Sequence, residues 1–190
     1  MPIMNIPMLL TLIRLLAIPV IIVCYFLPFP WMHPLAAAIF IIAAFTDWLD
    51  GYLARSLSQQ TEFGAFLDPV ADKLLISTVL TMVIAKYSGK LLSIPGVIIV
   101  GREIAVSALR EWMSDLGKRP SMTVTFISKL KTALQMIALI LLLGYVRHMP
   151  SILRYSGFIF LYMAAIMTLW TMIIYLKIAW PHLTTSKKKQ

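Results

Sequence analysis

The sequence predicts an all-α integral membrane protein, a six-transmembrane-helix bundle with both termini cytoplasmic. Three observations carry that expectation. Of 190 residues, 60% are hydrophobic and 13% are charged, against roughly 25% charged in a soluble domain. The apolar residues gather into six runs, each near the roughly 20 helical residues that a bilayer core of about 30 Å requires. Lys and Arg, finally, fall unevenly between the breaks that separate the runs.

The first run, 7–27, is apolar except for Arg14. It does not read as a signal peptide: no Lys or Arg stands among the first five residues, and no small-residue cleavage site follows. "PFPWMHP" ends it. The second run, 34–56, is uncharged through Phe45 and then turns to "DWLDGYLAR" at 47–55. After "SQQTEFGAF" the third run, 69–86, opens beside "GAFLDPVADK"; Pro69 suits a first helical turn and Asp68 its cap. "YSGK" leads to the fourth run, 91–112, "SDLGKRPSMTVTF" to the fifth, 128–145, and "RHMPSILR" to the sixth, 155–176. Pro and Gly punctuate these breaks. The chain reads as one domain, 1–190, without repeats or low-complexity tracts, and "SKKK" as a solvated end near anionic lipid. A single cysteine, Cys24, excludes an internal disulfide.

With an even number of spans both termini share a side. Four cations, Lys86, Lys90, Arg147 and Arg154, fall on the opposite side and thirteen fall with the termini, which places the termini in the cytoplasm. All eight acids lie on that same half, so the chemistry is expected there.

Asp47 lies roughly 18 Å along its helix from Leu35, past the midplane. The second helix descends, the third returns, and their aspartates meet at similar depth. Asp47 and Asp50 are spaced i, i+3, and Asp68 and Asp72 i, i+4, so each pair shares a helix face. A single acid there could be merely interfacial, and a single glycine mere packing. Four unpaired acids are different, at about 2.5–3.5 kcal/mol each even on lenient insertion scales. Converging carboxylates need a compensating charge. A hard divalent cation such as Mg²⁺ supplies it, with phosphate completing its shell. Gly51, Ala54 and Gly64 permit close approach of a ligand, and Arg55 suits a phosphate oxygen.

The pattern Asp47-x2-Asp50-Gly51-x2-Ala54-Arg55-x8-Gly64-x3-Asp68-x3-Asp72 resembles the complete signature of the CDP-alcohol phosphotransferase family, with every fixed residue at the family's spacing. The resemblance implies a six-span membrane enzyme, usually dimeric, that uses Mg²⁺ or Mn²⁺. It implies that Asp47, Asp50, Asp68 and Asp72 bind metal and that Asp72 also acts as general base. Gly51, Ala54, Arg55 and Gly64 would line the cytidine diphosphate site. An alcohol would attack the phosphorus attached to diacylglycerol, and CMP would leave.

The acceptor is read from the cations. Arg102 and Arg110 are i, i+8 on the fourth run, and Lys129 and Lys131 open the fifth. Ordinary loop charge accounts for Lys118 and Arg119, but less well for Arg102, about 11 positions into its span. The four suit an anion pocket for an acceptor with its own phosphate. "NIPMLLTLIR", "AVSALREWMSDLGKR" and "SKLKTALQM" are similar to the bacterial branch of the family that transfers the phosphatidyl group from CDP-diacylglycerol to sn-glycerol 3-phosphate. That likeness implies Asn5, Thr11 and Arg14 near the substrate entrance; Asn5 alone could cap the first helix.

Tryptophans near span ends read as an interfacial belt. Gly157, Ala164 and Ala165 suit packing or a dimer contact. His33, His148 and His182 read as loop or tail residues away from the acids, and no metal is assigned to them. Three rival readings stand beside the first: another acceptor such as serine or inositol phosphate, an intramembrane prenyltransferase, and a small cation transporter. A transporter predicts acids spread across the membrane depth, whereas here they gather on one half. Nothing in the pattern calls for nucleic acid.

Overall fold

The structure, a computed structural model, describes residues 6–56, 62–87, 90–115 and 122–185. Among the described residues all regular structure is helical. Six helices follow in order: α1 (Ile6–Phe26), α2 (Met32–Ser56), α3 (Glu62–Tyr87), α4 (Lys90–Asp115), α5 (Met122–Gly144) and α6 (Ser151–Thr185). α1 ends before Pro28 and Pro30, which cannot continue a helix. Pro34 sits in the first turn of α2, where its missing N–H costs nothing.

The helices run longer than the apolar stretches alone indicate. α3 begins at Glu62, so Asp68 and Pro69 stand inside it rather than at its start, and Asp68 is not a cap. An interior proline removes one backbone hydrogen bond, a defect that helices in membrane proteins tolerate where neighbours compensate; α1 and α4 also carry one, at Pro19 and Pro95. α5 begins at Met122 rather than 128, and α6 covers 151–185 rather than 155–176. His33 and His182 therefore lie on helices, not in loop or tail. The cause is common to all of these: hydropathy marks the stretch a bilayer requires, while backbone hydrogen bonding carries a helix on into polar sequence.

Among the described residues three helical stretches are long and apolar enough to cross a membrane: Met8–Phe26, Leu92–Met113 and Ser151–Trp180; Met32–Asp47 is apolar but shorter. Their polarity is inverted relative to a soluble bundle. On α1 the large exposed side chains are Leu9, Ile13, Leu16, Val20, Val23 and Phe26, whereas Thr11 and Arg14 are fully buried. On α6 Ile159, Ile166, Trp170 and Ile173 face out, and Ala164, Thr168, Thr171 and Ala179 face in. A solvent of lipid tails accepts the first set, and small or polar residues between helices allow close approach and hydrogen bonding.

Two compact units make up the chain. One comprises residues 1–86 and 139–157. In it α1 packs on α2, over a core that includes Ile21, Phe40, Leu75, Val83, Leu142 and Leu143. Lys86 caps the end of α5: its Nζ donates to the carbonyl oxygens of Tyr145 at 2.7 Å and of Leu142 and Leu143 at 3.4 Å. These are carbonyls that a helix end leaves without intrahelical partners. The same ammonium lies 5.6 Å from the centre of the Tyr25 ring, and Tyr25 Oη donates to the Met82 carbonyl at 3.3 Å. The other unit comprises residues 87–138 and 158–190. Its core joins Val106 of α4 to Tyr175 of α6, and Tyr87 meets Phe158 edge-on at 5.3 Å.

Gly157 tests the close packing. A Cβ there would lie 2.7 Å from Cγ and Cδ2 of Leu142, a side chain with no exposed surface in which to move. Gly157→Val is expected to lower stability by about 1–3 kcal/mol, read as a lower Tm of the detergent-solubilised protein; an unchanged Tm would show that the α5–α6 contact yields.

Candidate active site

The first helix brings two of the residues read as lying near the substrate entrance, Thr11 and Arg14, to the acidic pattern. Thr11 and Arg14 are spaced i, i+3 on α1 and share one face. Neither has exposed surface. Thr11 Oγ1 donates a hydrogen bond to Asp68 Oδ1 on α3. Arg14 Nη1 lies 2.8 Å from Asp47 Oδ1 on α2, with the Asp47 side chain 45% exposed. One helix thus touches an aspartate on each of the two helices that carry the acidic pattern. Asp72 follows Asp68 by one turn and Gly64 precedes it by one, all three half-buried. The extension of α3 back to Glu62 puts Gly64, Asp68 and Asp72 on one continuous face.

The backbone of α2 runs through to Ser56, but the side chains of Asp50, Gly51, Ala54 and Arg55 lie outside the described residues, as does Asn5. Among the described residues no three His, Cys, Asp or Glu come together in a way that could hold a metal ion. The donors that are described, Asp47, Asp68 and Asp72, offer only oxygen. That chemistry fits a hard cation such as Mg²⁺ or Mn²⁺ rather than a thiophilic one. His33, by contrast, stacks on Tyr25 with ring centres 5.1 Å apart.

A second polar cluster is buried in the other unit. Arg102 and Lys131 are 6% and 4% exposed. Both reach the same atom, Glu103 Oε2, at 3.1 Å from Arg102 Nη1 and 3.2 Å from Lys131 Nζ. Arg102 Nη2 donates to Thr171 Oγ1 at 3.0 Å, and Thr171 in turn donates to the Thr168 carbonyl at 2.9 Å. Arg102 Nε is buried without a hydrogen-bond partner among the described residues. Two cations thus meet at one carboxylate oxygen, and guanidinium and ammonium groups are the donors that suit a phosphate. Of the other cations read from the sequence as an anion pocket, Lys129 is exposed, and the Arg110 side chain lies outside the described residues. Lys129 and Lys131 are two residues apart on α5, and a helix turns such a pair to different sides.

Glu103 and Thr171 are the members of this cluster that the sequence reading does not single out. A signal for Glu103 exists: an acid beside an arginine within a membrane-length apolar helix has to be paired. None exists for Thr171, because a hydroxyl in an uncharged span gives no sign of which neighbour it meets.

Residues 4–176 match the CDP-alcohol phosphatidyltransferase family. The chain belongs to that family. It is 47% identical over 190 residues to a CDP-diacylglycerol–glycerol-3-phosphate 3-phosphatidyltransferase of Pseudomonas fluorescens, covering 98% of this chain and 96% of the relative. It is 48% identical over 176 residues to the protein of the same name from Salmonella choleraesuis (strain SC-B67). It is 47% identical over 176 residues to that of Escherichia coli (strain K12). Each of these two alignments covers 92% of this chain and 94% of the relative. Within a CDP-alcohol phosphatidyltransferase, Asp47, Asp68 and Asp72 are the described part of the acidic pattern, and α1 is the element in contact with it.

The second cluster carries its own test. Glu103→Gln leaves Arg102 and Lys131 buried with no carboxylate between them. The expected cost is about 1–3 kcal/mol, measured as a lower Tm in detergent. Inorganic phosphate is expected to restore part of the loss by binding the folded form; a variant as stable as wild type, and indifferent to phosphate, would count against an anion-seeking cluster.

Proposed function

We propose that the chain transfers the phosphatidyl group from CDP-diacylglycerol to sn-glycerol 3-phosphate, giving phosphatidylglycerophosphate and CMP. The observation that carries this is the near-half identity, over almost the whole chain, to relatives named for that reaction. The paired aspartates and the buried Arg102–Lys131 pair support it chemically. On this reading all six helices span a bacterial cytoplasmic membrane, both termini and the site face the cytoplasm, and the working form is a homodimer.

Asp47, Asp50, Asp68 and Asp72 would hold the divalent cation, Mg²⁺ or Mn²⁺, which when bound supplies charge neutralisation to the diphosphate. Gly51, Ala54 and Gly64 leave room for the cytidine diphosphate portion, and Arg55 pairs with a phosphate oxygen. The acyl chains remain in lipid. Arg102 and Lys131, with Arg110, hold the phosphate of the acceptor. The acceptor's free hydroxyl attacks the phosphorus that bears diacylglycerol. Asp72 takes the hydroxyl proton as the new P–O bond forms, and the bond to the departing CMP oxygen breaks.

A family member with another acceptor is the second reading. A buried guanidinium and ammonium side by side favour the phosphorylated acceptor over serine, because both groups are suited to a phosphate.

Purified protein, offered CDP-diacylglycerol with glycerol 3-phosphate, serine or inositol phosphate in turn, is expected to release CMP with the first alone, and EDTA is expected to abolish it. Comparable turnover with serine would overturn the acceptor assignment. Asp72→Asn is expected to lower kcat by about 10²–10⁴ with an unaltered Tm; near-normal turnover would remove Asp72 as the base.

A further inference from the structure

We propose that α1 is a clasp on the metal-binding carboxylates. Thr11 and Arg14 are positioning residues: each engages Oδ1 of one aspartate and so presents the other oxygen, Oδ2, to the cation. The assignment rests on the metal reading given above and goes beyond it by naming what aims the ligands.

Three observations carry it. First, both residues are fully buried, and the partner of each is an aspartate of the acidic pattern. A hydroxyl has one proton to give, and Thr11 gives it to Asp68. Second, the two carboxylates stand on different helices, α2 and α3, while their holders stand one turn apart on α1. About 4.5 Å of rise separates Thr11 from Arg14. The spacing of the holders therefore sets the register of Asp47 against Asp68. Third, α1 has no other orientation open to it. Its remaining exposed face is Leu, Ile, Val and Phe, and turning Arg14 out into lipid is costly on any scale. The clasp that aims the ligands also fixes the helix.

Carboxylates that ligate metals are generally held at their second oxygen by a neighbouring donor. Removing that donor typically costs about 10–100-fold in metal affinity or activity. Arg14 adds a second effect. Its contact with Oδ1 at 2.8 Å holds Asp47 in place before a cation arrives, so the site need not assemble around the ion.

The test uses the full chain in detergent without substrates. Free Mn²⁺ is followed by electron paramagnetic resonance during titration. Thr11→Val keeps the side-chain shape and removes the hydroxyl; it is expected to weaken Mn²⁺ binding about 10-fold or more. Thr11→Ser returns the hydroxyl and is expected to restore affinity, which a packing role for the methyl group would not produce. Arg14→Lys keeps the charge, loses the planar fork, and is expected to weaken binding as well. At saturating Mn²⁺ the KM for glycerol 3-phosphate is expected to stay at its wild-type value. Should Thr11→Val fail to fold, Thr11→Ala set against Thr11→Ser makes the same comparison. Wild type that binds while Thr11→Val binds equally well overturns the clasp alone, as does failure of Thr11→Ser to recover affinity. Wild type that binds no Mn²⁺ overturns the metal reading, and the clasp with it.

Discussion

A guanidinium with no exposed surface must have a carboxylate beside it, and the place of Arg14 on α1 makes that carboxylate Asp47. Separating two such groups in a low-dielectric interior leaves an uncompensated charge, typically a loss of about 3–5 kcal/mol when both are buried. Asp47 is nearly half exposed, so the figure here is smaller, but its sign is the same. Most of what surrounds the acidic pattern depends on this constraint. α1 cannot rotate without exposing Arg14, so its apolar stripe must face outward. Thr11, one turn away, is thereby delivered to Asp68. The association of α1 with α2 and α3 is then specified by polar contacts, where lipid provides no hydrophobic force to drive helices together.

The same reasoning explains the inverted polarity of the helices. Around α6, isoleucine and tryptophan are exposed while threonine and alanine are buried. In water that pattern would be a fault, and in lipid it is the rule. Buried small residues let backbones approach, as Gly157 does against Leu142. Buried polar residues must then be satisfied locally. Lys86 answers that need at the end of α5, where its ammonium takes up carbonyls the helix cannot bond for itself. The chain thus uses a basic side chain in three different ways. Lys86 closes a helix, Arg14 holds a carboxylate, and Arg102 with Lys131 brackets one.

Much of this is legible in the order of the amino acids alone. The helix count follows from apolar runs, and the shared faces of Asp47 with Asp50 and of Asp68 with Asp72 follow from spacing. Helix ends are the weak point. Asp68 reads as a cap because Pro69 so often opens a helix, but proline also occurs inside helices whose defect is made good by neighbours, and here α3 simply continues back to Glu62. Long-range partners are the other gap. Arg14 stands out as an anomaly in an apolar run, yet nothing in the run says that it reaches a residue 33 positions away. Thr11 gives no such sign, since a threonine in a membrane helix commonly bonds its own backbone. Glu103 escapes notice for a different reason: it counts as one more acid of a single membrane face, although its neighbour Arg102 already defines its task.

The two polar clusters divide the electrostatic work in opposite senses. Around the aspartates carboxylate outweighs base, which suits a cation. Around Glu103 two cations meet one carboxylate, and their chemistry suits a phosphate. A reaction that joins a diphosphate donor to a phosphorylated acceptor presents like charges to each other, and water screens little at membrane depth. Charge held ready before a substrate arrives lowers such repulsion. Glu103 makes readiness tolerable in the second cluster, because it accepts from Arg102 and Lys131 at once. On the proposed reading it also sets a limit: an acceptor's phosphate would have to interact with Arg102 and Lys131 more strongly than Glu103 does, which a dianion can achieve and a neutral hydroxyl compound cannot. The selectivity of such a cluster is therefore governed as much by the carboxylate it must displace as by the cations that attract the ligand.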